Sequence, residues 1–145
     1  MAVDVRAEVR IERPRAEVAR YMFDPKNDAE WTIGVVECRP LDPGPLSVGS
    51  RVERVAKFLG RRFAYTYEVI AIEPERAVEM TVTQPFPMHI RYELEDAVGG
   101  TIASIRARGE PAGFFRIAAP LMAGKVRSNI QNDLDLLRDQ LTRSG

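Results

Sequence analysis

Hydrophobic and polar residues alternate from the start of the chain: Val3, Val5, Ala7, Val9 and Ile11 interleave with Asp4, Arg6, Glu8 and Arg10. A period of two marks a strand with one buried face. The same period returns in Val52, Ala56 and Phe58, in Phe63, Tyr65, Tyr67 and Val69, and in Val78, Met80 and Val82. It appears again in Met88, Ile90, Tyr92 and Leu94, and last in Thr101, Ala103, Ile105 and Ala107. Gly60, the Glu73-Pro74 step and the Gly99-Gly100 pair separate these runs as turn signals. Between the first strand and this series the pattern changes. Pro14 followed by RAEVARYMF predicts a short helix, ended by Asp24-Pro25, and Pro25 to Trp31 predicts a second short turn. A hydrophobic run from Ile33 to Cys38 then enters a loop rich in Pro40, Pro43, Gly44 and Pro45.

After Pro111 and Gly113 the period becomes helical over Phe114 to Leu141. Val126, Ile130, Leu134, Leu137 and Leu141 recur at spacings of three and four, which predicts one buried stripe. Lys125, Asn129, Asp133 and Asp135 read as lying off it. The half before the stripe is apolar nearly all round, through Phe114, Phe115, Ile117, Leu121 and Met122. Pro120 lacks an N–H for the preceding turn, so a kink is expected there. Consecutive strands joined by short turns imply an antiparallel meander, and the long helix is the one element able to cover its apolar face. The expected fold is α+β: a curved antiparallel sheet of six to seven strands around a long C-terminal helix, with two short helices after the first strand. With no repeat or linker, residues 1–145 read as a single domain.

Composition removes several function classes. Lys plus Arg and Asp plus Glu number 21 each, so formal charge is zero and a general nucleic-acid binder is not expected. One cysteine, Cys38, and one histidine, His89, cannot build a thiolate zinc cluster or an intramolecular disulfide. No Walker loop, dinucleotide glycine motif or G-x-S-x-G is present, and no metal or cofactor is expected. No apolar run approaches a membrane span, and MAVDVRAEVR lacks the features of a secretion signal, so the expected setting is cytoplasmic.

The order of motifs resembles the START-like helix-grip superfamily, also called SRPBCC, in its polyketide cyclase/dehydrase-like branch. RPRAEVARYMFDP after the first strand, Trp31, Val48-Gly49-Ser50, VIAIEP at Val69 to Pro74, and Tyr92 to Leu94 followed by Gly99-Gly100-Thr101 carry the likeness. It spans nearly the whole chain. The resemblance implies a helix-grip fold with an apolar cavity between sheet and terminal helix.

The strand phases place a floor at Phe63, Tyr65 and Tyr67, at Val78, Met80 and Val82, and at Met88, Ile90 and Tyr92. Phe114, Ile117, Leu121 and Met122 would form the roof. Arg54 shares the inward phase of Val52 and Ala56, where a guanidinium requires an anion, carbonyls or water. Trp31 would serve as cavity wall or as a staple to the short helices. The tyrosine hydroxyls would bond a ligand carbonyl or a partner within the core. His89 alternates with Met88 and Ile90 and is expected to face outward. The strand glutamates should be solvated, which leaves no inward carboxylate pair. The favoured reading is a module binding a small hydrophobic or aromatic ligand. A polyketide cyclase/aromatase- or dehydratase-like enzyme using the same cavity is the alternative. A homodimer face on the apolar start of the long helix is a third.

Overall fold

The computed structural model describes residues 3–58, 60–84, 86–111 and 119–143. Seven strands form one sheet in the order β1-β7-β6-β5-β4-β3-β2, with every neighbouring pair antiparallel. They are β1 (Val3–Ile11), β2 (Val35–Pro40), β3 (Arg51–Phe58), β4 (Arg61–Glu73), β5 (Ala77–Val82), β6 (Met88–Ala97) and β7 (Gly100–Gly109). The sheet is curved, with pairing irregularities between Val35 and Glu37 and between Val69 and Ala71. A bulge of this kind bends its strand and sharpens the local twist. β1 shows why such sequences make such strands. Val3, Ala7, Val9 and Ile11 are buried while Asp4, Arg6, Glu8 and Arg10 are exposed.

β1 and β2 occupy opposite edges of the sheet, so the chain between them must cross its width. It does so through α1 (Arg15–Met22), a 3-10 turn at Pro25–Asn27 and α2 (Asp28–Trp31). Val18, Ala19 and Met22 bury one side of α1. The Asp24 carboxylate accepts the Lys26 N–H at 3.0 Å and caps the turn in which Pro25 needs no donor partner. α1 packs near β6 and β7, and α2 against β2 and the terminal helix.

That terminal helix, α3 (Ala119–Arg143), has 25 described residues. It runs chiefly along β1. Val126, Leu134, Leu137 and Leu141 are buried, as the stripe requires, and Ile130 packs partly buried against the core. The expected start at Phe114 and the turn preceding Pro120 lie outside the described residues. Among those described, no helix is long and apolar enough to cross a membrane.

The β6–β7 hairpin turns at Val98-Gly99, one residue earlier than the glycine pair suggests. Ala97 pairs with Gly100, which already belongs to β7. Gly99 takes a φ of 77°, and a Cβ on Gly100 would collide with the Ile11 carbonyl oxygen. The first glycine is needed for the turn and the second for the close passage of β1.

Candidate functional site

The most built-up polar cluster inside the grip centres on Arg54, which is 5% exposed in the middle of β3. Its Nε and Nη2 donate to Asp28 Oδ2 at 3.1 and 2.7 Å. Nη1 donates to the Tyr65 hydroxyl at 3.3 Å and Nη2 to the Tyr92 hydroxyl at 3.4 Å. The guanidinium carbon lies 4.6 Å from the centre of the Tyr67 ring, and the Tyr67 hydroxyl donates to the same Asp28 oxygen at 3.3 Å. Cross-strand register explains the convergence. Arg54 pairs with Tyr65 on β4 and Tyr67 follows two residues on, on the same face. Asp28 arrives from α2 and is 2% exposed.

Burial is the largest single influence on Arg54 and works against its charge, but Asp28 and the three tyrosines together outweigh it and hold the guanidinium well above its ordinary pKa. Burial, then the Asp28 charge, raises the Tyr67 hydroxyl well above the usual range. Tyr92 is pushed up to about 12 by burial, with Arg54 opposing. The Cys38 thiol points at the Pro25 carbonyl, 3.0 Å away, and at Asp28. Burial and then Asp28 lift it to about 12, which makes it a poor nucleophile.

Beside this cluster a cavity of about 160 Å³ opens between the sheet and α3. Its walls are mostly apolar: Ala56, Phe63, Val82, Phe86, Met88, Ile90, Ile105 and Ala107 on one side, Val126 and Ile130 of α3 on the other. Polar groups enter at few places. Arg54, Lys57, Tyr65 and Tyr92 line it from the sheet, Asn129 and Asp133 from α3, and Thr32 and Gln84 from the connecting segments. Asp133 Oδ1 accepts the Ile33 N–H at 2.8 Å. Burial raises its carboxyl to about 6, opposed by that N–H and by Arg54. A wider hollow of about 710 Å³ lies between α1 and the Pro40–Leu46 segment, walled by Phe23, Leu46, Ile72, Val78 and several prolines together with Arg20, Asp24, Lys26 and Asp42. The smaller cavity is the candidate site, because it lies between sheet and helix with apolar walls and a few convergent polar groups, whereas the hollow carries four charged side chains and no such convergence.

The residues selected from sequence occupy different places around it. Phe63, Tyr65, Met88, Tyr92 and Arg54 line the cavity. Tyr67, Met80 and Val78 are buried among the core and do not reach it. Trp31 is fully buried and stands edge-on to Tyr92, ring centres 5.5 Å apart, so it supports the wall from behind. Met122 packs with Val3, Phe86, Ala107 and Val126. Leu121 corrects the roof: it is 77% exposed. Met122 and Val126, four residues apart, face the sheet, and a neighbour one position back is turned about 100° away. Phe114 and Ile117 lie outside the described residues. His89 is partly exposed and contacts Arg108, Nη2 to Nδ1 3.2 Å, and Glu79.

Arg54 meets the anion that its inward phase requires in Asp28. Inside the grip its counter-ion is a carboxylate of the same chain, so its charge is not left over for a ligand anion. Two carboxylates, Asp28 and Asp133, nonetheless face inward, and strand alternation could not point to them because both come from helices. Among the described residues no group of three or more His, Cys, Asp or Glu could hold a metal ion.

Solved structures share this architecture. TTHA0849 from Thermus thermophilus superposes with a TM-score of 0.82 at 16% identity, over 98% of this chain and 99% of that one. Ara h 8.0201 does so with a TM-score of 0.76 at 11% identity, over 99% of both chains. The di-domain ARO/CYC StfQ from the steffimycin biosynthetic pathway gives 0.79 at 10% identity, over 96% of this chain and 50% of that one. At such identities the likeness is one of fold. Among curated proteins none matches the chain in sequence. A family match is nonetheless nearly complete: residues 2–142 match the family described as polyketide cyclase / dehydrase and lipid transport, and the protein belongs to it.

Proposed function

We propose that this protein binds a small hydrophobic or aromatic ligand bearing a carbonyl or phenolic oxygen, in the cavity between the sheet and α3. The observation that carries the reading is the state of two hydroxyls. Tyr65 and Tyr92 line the cavity, and each accepts a hydrogen bond from Arg54. Each phenol therefore keeps its own proton to donate, polarised by the guanidinium behind it. Apolar walls supply affinity and the paired donors supply orientation.

Polyketide cyclase-like catalysis in the same cavity is the second reading. Asp133 favours it, as a carboxyl titrating near 6 on the wall that α3 contributes. The likeness to an ARO/CYC protein is in keeping with both readings.

α-Tetralone, an aromatic ketone of two fused rings, is a suitable probe. Calorimetric titration should give saturable binding to the wild type. Ile130→Trp, which adds bulk from α3 to the cavity wall, should weaken it at least about tenfold while thermal melting stays cooperative. Tyr65→Phe with Tyr92→Phe should also weaken it. No binding by the wild type, or an affinity indifferent to Ile130→Trp, contradicts the reading.

A further inference from the structure

The two walls of the cavity offer opposite hydrogen-bonding character. The sheet wall carries Tyr65 and Tyr92, whose hydroxyls accept from Arg54 and keep their own protons to donate. The helix wall presents a carboxyl group: Asp133 Oδ1 takes the Ile33 N–H at 2.8 Å, and Oδ2 has no partner among the described residues. A ligand seated between them meets donors on one side and an acceptor on the other.

The charges facing the same space define what else can sit there. Arg54 and Lys57 from β3, Tyr65 from β4, Tyr92 from β6 and Asp133 itself are the titratable groups lining the cavity. Arg54 is paired with Asp28 at 2.7 Å, and Lys57 is an exposed side chain at the rim. No uncompensated cation is buried in the described wall. A ligand carboxylate would therefore lose its water shell beside Asp133 without gaining an ion pair.

We infer that Asp133 is the specificity-determining residue of this cavity, accepting a hydrogen bond from a ligand hydroxyl so that hydroxylated aromatic ketones are selected and aromatic carboxylates turned away. The inference rests on the ligand-binding reading above and names the class of ligand. Titration near 6 leaves Asp133 mainly ionised at neutral pH, the form in which it is the stronger acceptor and the stronger repellent of anions. A hydrogen bond to a charged acceptor is worth enough to separate two otherwise equal ligands by about tenfold.

Three probes test it: α-tetralone, α-tetralone carrying a hydroxyl on its aromatic ring, and β-naphthoate. At neutral pH the wild type should bind the hydroxylated ketone about tenfold tighter than the parent ketone and β-naphthoate weakest of the three. In Asp133→Leu the ratio between the two ketones should collapse to near one. Asp133→Asn, which keeps an acceptor for the Ile33 N–H and so preserves the fold, should shrink that ratio and raise β-naphthoate affinity. In the wild type alone, β-naphthoate binding should weaken as pH rises through Asp133's titration. An equal affinity for the two ketones, a ratio that survives both substitutions, or β-naphthoate binding that ignores Asp133→Asn overturns the inference while the cavity reading stands. Failure of α-tetralone itself to bind the wild type overturns both.

Discussion

Removing one partner of the Asp28–Arg54 pair should be far more damaging than removing both. Asp28 is 2% and Arg54 5% exposed, and Arg54 Nη2 lies 2.7 Å from Asp28 Oδ2. In Asp28→Leu the guanidinium stays buried with phenol hydroxyls, the Tyr67 ring and only the Asp133 charge across the cavity, with no direct ion pair. In Arg54→Met the carboxylate stays buried without a counter-charge. Stranding a buried charge costs about 3–5 kcal/mol. For a chain of this length that lowers Tm by about 6–20 °C. In the double variant both charges are gone, and the main residual penalty is the Tyr67 hydroxyl, which loses its acceptor at 3.3 Å. An unsatisfied buried hydroxyl costs about 1–3 kcal/mol. The double variant should therefore be more stable than either single variant, with a coupling energy of several kcal/mol in a double-mutant cycle. Urea melts on the four proteins read it directly. A double variant whose loss equals the sum of the singles, or an Asp28→Leu that costs less than about 1 kcal/mol, would refute the account of the cluster.

Two other substitutions and a pH series follow from the same structure. Leu134→Ala, on the fully buried stripe of α3, should cost about 2–5 kcal/mol in a urea melt, whereas Leu121→Ala, 77% exposed, should change stability by less than about 0.5 kcal/mol. Burial raises Asp133 from 3.8 to about 6, so the folded chain holds a proton that the unfolded chain has released. This group's contribution is most favourable below the unfolded value and falls as pH rises from 3.8 to about 6. The full linkage is about 3 kcal/mol, reduced to about 2 by partial solvent access. Asp133→Asn should remove that slope from a series of urea midpoints, and an unchanged slope would exclude it.

The strands were readable because each buries one face and a period of two survives even large curvature. The stripe of α3 was readable for the equivalent helical reason. Arg54 stood out as a charge in an inward phase, but its partner did not. Asp28 sits in a four-residue helix, too short for any periodicity, and its direction is set by how α2 docks between β2 and α3. Asp133 was within reach. It follows Ile130 by three residues and precedes Leu137 by four, about 20° from Val126 around the helix, so it borders the stripe rather than lying opposite it. Leu121 fails the same test, since the buried neighbours Met122 and Val126 fix the inward direction one residue away.

The central claim is that a ligand sits between the sheet and α3, against Tyr65 and Tyr92. Intermolecular proton contacts in the NMR spectrum of the protein with bound α-tetralone locate it directly. The account predicts contacts from the ketone's ring protons to the methyls of Ile90, Ile105 and Ile130, which line that cavity. Contacts to Leu46, Ile72 and Val78 instead would place the ligand in the hollow beside α1 and contradict it.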